Sequence, residues 1–213
     1  MKRYLPFALI LAVILIGTAV FFWISQPEQV QPIPMASVPA GGSSPASSTN
    51  PRGSVLLEEF GDYQCPPCGS LHPLIKTLKS EYGDRLKLVF YQFPLIVPHK
   101  NALTAAHAAI AAKQQGKFWE MHNLLYENQA AWSELPDLRP VVTNFAIQLG
   151  LDVNRFVKDL DSPDIAAMVE ADMQRGANFR VTSTPTLFIN GQPVPNEKIS
   201  LDYFRNEINE RLK

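Results

Sequence analysis

Cys65-Pro66-Pro67-Cys68 contains both cysteines of a 213-residue chain. Two thiols separated by two residues can close into a small disulfide ring and reopen as a dithiol. Upstream, Val55 to Phe60 is an apolar, β-prone run. Downstream, Leu71, Leu74, Ile75 and Leu78 recur at the i, i+3, i+4, i+7 spacing of a helix face. The pattern predicts a strand that ends just before Cys65 and a helix that starts there. Unpaired N–H groups and partial positive charge at a helix N-terminus favour a thiolate over a thiol. Cysteines so placed have pKa values of about 3.5–7.5, against about 8.5 for a free thiol. Pro66 and Pro67 fall where a helix tolerates proline, because those N–H groups have no intrahelical partner. Cys68 and Gly69 are left to supply the first N–H groups able to face the Cys65 sulfur. The expected roles are Cys65 as an exposed attacking thiolate, Cys68 as the buried resolving thiol, and Pro66 and Pro67 as residues that tune the pair.

Other chemistries compete. A structural disulfide across so small a ring removes little unfolded-chain entropy. A zinc site can enlist His72 in a C-x-x-C-x-x-x-H pattern, but structural zinc takes four ligands and no second cysteine pair or nearby histidine supplies the fourth. No metal is expected, and His72 is assigned as a polar residue of the active-site helix. Two idle reduced thiols complete the alternatives.

Lys2 and Arg3 precede an apolar run from Leu5 to Ile24. About 20 residues at about 1.5 Å each match the hydrocarbon core of a bilayer. With the positive charges placed before the run, the N-terminus is expected in the cytoplasm and the rest of the chain outside. A cleaved signal peptide is the rival, but its apolar region is usually about 7–15 residues and no A-x-A-like site closes this one. Residues 1–25 are therefore expected to be a membrane anchor (or uncleaved signal). Residues 26–52, with Pro27, Pro32, Pro34, Pro39, Pro45 and Pro51, form a Pro/Ser/Gly-rich linker that cannot bury enough apolar surface to order itself. The linker leaves no room for a dimerisation domain, and a monomer is expected. The net charge of −1 argues against nucleic acid as a partner.

Residues 53–213 suffice for one domain with a sizeable core. After the first strand and the Cys65 helix, which runs to about Tyr82, Leu86 to Phe93 is a second strand parallel to the first. Helices are expected at Ala102–Ala112, Lys117–Tyr126, Leu135–Leu149, Val153–Leu160 and Pro163–Gly176, forming a cap of their own. Gly150 is placed as a C-cap, and Asp152 and Ser162 as N-caps. Thr186–Asn190 then runs into Gly191, and Asn190-Gly191 is the preferred pair for a type I′ hairpin. A closing amphipathic helix carries Leu201, Phe204, Ile208 and Leu212.

Three segments resemble the DsbA-like thiol–disulfide oxidoreductases of the thioredoxin superfamily. They are Glu58-Glu59-Phe60-Gly61-Asp62-Tyr63-Gln64 leading into the cysteine pair, Gln115-Gly116-Lys117-Phe118-Trp119-Glu120-Met121-His122, and Thr184-Pro185-Thr186-Leu187-Phe188-Ile189-Asn190-Gly191. The resemblance implies an α/β thioredoxin-like fold with an inserted helical domain at about 98–178, preceded here by the transmembrane helix and disordered linker. It also implies a cis Thr184–Pro185 bond beside the disulfide, with the Thr184 backbone free to pair with an extended substrate. A buried acid at Glu59 would exchange protons with the resolving thiol, and strand alternation sends Glu58 to the opposite face. Asp62 and Tyr63 would shape the turn. His99, His107, His122 and the Phe118–Trp119 pair receive no role. The implied activity is extracytoplasmic disulfide exchange with protein substrates, most simply as a dithiol oxidase; disulfide reduction or isomerisation and a metal-binding or chaperone module are the alternatives. No cofactor beyond the redox-active disulfide is expected. The implied redox partner lies in the membrane: a quinone-linked DsbB-like or VKOR-like oxidase, or a reductase. Pro67 stands where oxidases of this family often carry histidine, so a weaker oxidant is expected.

Overall fold

In the computed structural model, which describes residues 53–213, strand β1 (Val55–Gly61) is buried at all of its positions. It occupies an inner place in a four-stranded sheet of order β2-β1-β3-β4, formed with β2 (Leu86–Gln92), β3 (Thr186–Ile189) and β4 (Gln192–Val194). β1 runs parallel to β2, from Val55 opposite Leu86 to Gly61 opposite Gln92, and antiparallel to β3. A strand covered on both faces is expected to be continuously apolar. Glu58 and Glu59 break that rule, which marks them for a role other than packing.

Helix α1 (Pro66–Tyr82) starts with Cys65 at its N-cap and ends at Gly83, whose φ is 54°. Its Leu71, Ile75 and Leu78 pack on Leu57 of β1 and on Phe204 and Ile208 of the closing helix. Pro73 lies inside α1 and removes a bond of its ladder, a feature that the apolar spacing does not reveal.

Six helices separate β2 from β3: α2 (Ala102–Lys113), α3 (Phe118–Glu127), α4 (Gln129–Trp132), α5 (Arg139–Gln148), α6 (Val153–Asp159) and α7 (Pro163–Asn178). The alanines of α2 are buried, with Ala105, Ala108, Ala109, Ala111 and Ala112 fully so, which lets neighbouring helices approach closely. The helix expected from Leu135 starts four residues later, at Arg139. Pro136 accounts for the delay, since it disfavours the helical region for Leu135, whereas Pro140 falls in the first turn, where a helix tolerates proline. The short α4 was not anticipated. The inserted helices have a small cluster of their own, Ala106, Ile110, Ile165 and Val169, but their larger one is shared with the site, since Tyr63, Cys65, Cys68 and Phe90 belong to the same apolar cluster as Met121, Leu125, Trp132 and Phe145.

The local signals hold. Asp152 accepts the Arg155 N–H, Ser162 accepts the Asp164 N–H, and Gly150 has a φ of 68°. Asn190 and Gly191 both have positive φ, 47° and 76°, as a type I′ turn requires, and β4 with Pro193 lies at the sheet edge. Helix α8 (Leu201–Leu212) closes the fold. Among the described residues no helix is long and apolar enough to cross a membrane. The predicted anchor (1–25) and linker (26–52) lie outside the described residues.

Gly191→Ala is expected to destabilise the protein by about 1–2 kcal/mol, the cost of a side chain in the left-handed region. Urea unfolding checks it, and an unchanged midpoint would contradict the turn.

Candidate active site

Parallel pairing of β1 and β2 brings their C-terminal ends to one edge of the sheet. The segment that leaves β1 there turns directly into α1. Asp62 builds this turn: its carboxylate accepts the N–H groups of Gln64 (2.8 Å) and Leu95 (2.9 Å) and lies 2.6 Å from His99 Nδ1. Asp62 therefore does shape the strand-to-helix turn, and His99, which the sequence left without a role, is tied to it.

Cys65 and Cys68 stand one helical turn apart as free thiols. Cys65 is 5 % exposed and Cys68 0 %. The expectation of an exposed Cys65 thus needs correction, although the order of the two is as expected. The segment carrying Thr184 and Pro185 lies against Cys65, and its Sγ donates to the Thr184 carbonyl oxygen at 3.3 Å. The Thr184–Pro185 bond is cis, as the resemblance implies. Pro66 and Pro67 are exposed at the start of α1. A second correction concerns the helix N-terminus: the Gly69 N–H donates to the Cys65 carbonyl oxygen at 3.1 Å rather than to the sulfur. The Cys68 backbone N–H still favours the Cys65 thiolate.

These surroundings split the two thiols. Cys65 is lowered from 9.0 to about 6, chiefly by the hydrogen bond from the Cys68 thiol; Thr184 and the Cys68 N–H add to this, while burial and the Asp62 charge oppose it. Cys68 moves far upward, because burial, its bond to Cys65 and the Glu59 charge all penalise its thiolate. The linkage sign follows. Folding depresses the Cys65 pKa, so its ionisation stabilises the reduced fold at pH values above the ordinary thiol range, and that contribution is lost as the pH falls through about 6.

Glu59 is 7 % exposed, and its carboxyl is raised from 4.5 to about 8, first by burial and then by the Cys65 thiolate. It shares the field of both sulfurs, on the side chosen for it from strand alternation. Glu58 is also buried, at 2 %. On its own face its carboxylate accepts from the Tyr91 hydroxyl (3.2 Å) and Arg175 Nη2 (3.4 Å).

The inserted helices supply groups that no local pattern singles out. Gln129 Nε2 donates to the carbonyl oxygens of Tyr63 (2.7 Å) and Cys65 (2.9 Å), clamping the loop from behind. Gly69 makes room for this amide, since a Cβ there would lie 2.4 Å from Gln129 Oε1. Gln64 is fixed by the Asn101 N–H (2.7 Å) and by donating to the Ser133 carbonyl (2.8 Å). His122 is buried with its Nδ1 3.1 Å from the Tyr63 hydroxyl, and burial holds its imidazole down to about 3, so it is neutral. His72, on the active-site helix as expected, is buried too, and its ring lies against His122 and Tyr126. Among the described residues no three His, Cys, Asp or Glu side chains are grouped to hold a metal ion.

Comparison with known proteins agrees with this architecture. A family model described as "Thioredoxin" matches residues 48–210. Among solved structures, a thioredoxin-like oxidoreductase from Silicibacter pomeroyi is 24 % identical with a TM-score of 0.61, covering 76 % of this chain and 88 % of that one. BdbD from Bacillus subtilis, in its oxidised form, is 22 % identical with a TM-score of 0.66, covering 75 % and 88 %. The thiol-disulfide exchange protein alpha-DsbA2 of Wolbachia pipientis is 22 % identical with a TM-score of 0.64, covering 76 % and 83 %. In sequence, the chain is 33 % identical over 175 residues to a protein named Na(+)/H(+) antiporter NhaA 1 in Mycobacterium sp. (strain KMS), covering 80 % of this chain but only 27 % of that protein. A Salinispora arenicola protein of the same name is 36 % identical over 139 residues, 65 % of this chain and 20 % of its own length. The chain thus spans about a quarter of the length of the curated relatives it matches. With a family model covering most of its length, the chain belongs to the thioredoxin family, and its fold is the one seen in the DsbA-type structures.

Proposed function

We propose that this protein is a membrane-tethered thiol–disulfide oxidoreductase that oxidises dithiols in extracytoplasmic polypeptides through Cys65 and Cys68. The observation that carries the proposal is the split between the two sulfurs, Cys65 lowered to about 6 and Cys68 pushed far up. A stabilised thiolate favours the reduced enzyme and so makes its disulfide the more oxidising. The tether rests on Lys2, Arg3 and the apolar run Leu5–Ile24. A compartment outside the cytoplasm suits a chain whose only cysteines form one exchange pair.

The reaction starts with the Cys65–Cys68 disulfide. A substrate thiolate attacks Cys65 Sγ, a new sulfur–sulfur bond forms, and the old one breaks with its electron pair going to Cys68. Cys68 is a poor leaving group because burial disfavours its thiolate, so it needs a proton. Glu59 supplies it as the acid, since burial, the larger cause of its raised pKa, acts in both redox forms. A second substrate thiolate then attacks the first substrate sulfur, and Cys65 departs as a thiolate, which its low pKa makes easy. The substrate leaves with a disulfide and the enzyme holds both electrons. Reoxidation falls to a membrane partner, a quinone-linked oxidase of the DsbB-like or VKOR-like kind.

The substrate backbone would pair along Thr184 beside the cis proline, in the manner of strand addition. Ile96 and Val97, 56 % and 95 % exposed, follow β2 at the same sheet edge and are tethered through Leu95 and His99 to Asp62. They offer apolar contact to an unfolded chain, which fits a polypeptide better than a small thiol.

Two outcomes test the mechanism. Incubating the Cys68→Ser variant with a polypeptide disulfide is expected to accumulate a mixed disulfide at Cys65, seen by mass spectrometry after tryptic digestion; attachment at no cysteine would reject the assigned roles. Glu59→Gln is expected to slow disulfide transfer to a dithiol peptide by at least about tenfold at pH 7 and to remove the alkaline fall of the rate profile. Transfer at the wild-type rate would rule out Glu59 as the proton donor.

A further inference from the structure

Behind α1, on the flank formed with β2 and α3, lies a pocket of about 390 Å³ that disulfide exchange does not use. Its volume falls within the usual range for small-ligand sites, roughly 300–1,000 Å³. Ile75, Leu88 and the half-open Trp119, 40 % exposed, make its apolar wall. Lys76, Lys79 and Lys87 also line it, and no carboxylate does. Lys76 is paired with Glu127 at 2.5 Å, and Lys79 donates to the carbonyls of Gly83 and Leu86. The Lys87 side chain makes no hydrogen bond or ion pair among the described residues, and the residue is exposed. The positive charge at this mouth is thus only partly answered by the protein. Deeper in, His72 has a 5 % exposed side chain whose Nε2 is buried with no hydrogen-bond partner, and Glu127 Oε1 lies 4.0 Å from it. A buried polar atom left without a partner is costly, and a ligand that reaches it relieves the cost.

We propose that this pocket binds a small amphiphilic organic anion, its apolar body against Trp119, Ile75 and Leu88 and its acidic group at Lys79 and Lys87. Charge and shape agree on that class: a cationic rim over an apolar wall attracts the head of such a molecule and removes its body from water. The wall is shared with a recess of about 10 Å³ that holds Glu59, bounded also by Leu88, Trp119 and His122. The ligand therefore sits along α1 beyond the cysteines, apart from Cys65 and Thr184 and next to the recess of the buried carboxyl.

The experiment uses the full chain in a nonionic detergent, titrated with 2-naphthalenesulfonate by isothermal calorimetry. Saturable 1:1 binding with a Kd of roughly 0.1–1 mM is expected for an anion of this size. Trp119→Ala and Lys87→Glu, both at exposed positions, should each weaken it by about tenfold. Lys158→Glu, an equal charge change in α6, should leave it unaltered. The proposal is overturned by no saturation at about 5 mM, well above the Kd range for such ligands, by equal affinity in all four proteins, or by equal affinity for the neutral 2-naphthylmethanol. Circular dichroism of each variant separates loss of the site from loss of the fold.

Discussion

Two sulfurs within one helical turn share a bond when oxidised and are driven in opposite electrostatic directions when reduced. Cys65 sits at the N-cap of α1, where the Cys68 thiol, the Cys68 N–H and Thr184 all favour its charge. Cys68 sits one turn deeper, where the apolar cluster and the Glu59 carboxyl oppose charge. Most other features of the site serve to keep this difference in place. If both thiols were equally solvated, neither would be the better nucleophile nor the better leaving group, and exchange would have no preferred order.

Holding that difference takes the inserted helices as well as the thioredoxin-like sheet. Cys65 and Cys68 are buried in the same cluster as Met121, Leu125 and Trp132, so the insertion supplies the low-dielectric side of the site. Gln129 grips the carbonyls on either side of Gln64, and Gln64 itself is bonded to Asn101 and Ser133. Across the turn, Asp62 collects Gln64, Leu95 and His99. Movement of the cysteine loop would break several of these bonds together. Preorganisation of this kind keeps the reacting sulfur in place without requiring a rigid surface around it.

The sequence made the scaffold legible where local chemistry decides conformation. The apolar period of α1, the alanine density of α2, the Asn190-Gly191 turn and the side-chain caps at Asp152 and Ser162 are all short-range signals, and each appears where its residues place it. The placement of Cys65 at a helix start with Cys68 deeper, and the side chosen for Glu59, were legible for the same reason, since strand alternation and a helix start are local. Long-range partners were not. Gln129 lies 64 residues from Cys65 and His99 lies 37 from Asp62, and neither glutamine nor histidine carries a pattern that names its partner. The burial of Glu58 was not legible for a related reason: strand alternation assigns a face, but whether helix α7 covers that face with Arg175 is a tertiary fact. The start of α5 was misjudged because apolar spacing was weighed above Pro136.

The claim on which the rest depends is that one sulfur of the reduced protein is ionised near neutral pH while its neighbour is not. Thiolate absorbance at 240 nm, followed from pH 3 to pH 10 against the oxidised protein, measures this directly. The account predicts a step of one thiolate with a midpoint near about 6, absent in Cys65→Ser, and no second step below pH 10. Two steps near the ordinary thiol value, or a step that survives Cys65→Ser, would contradict it.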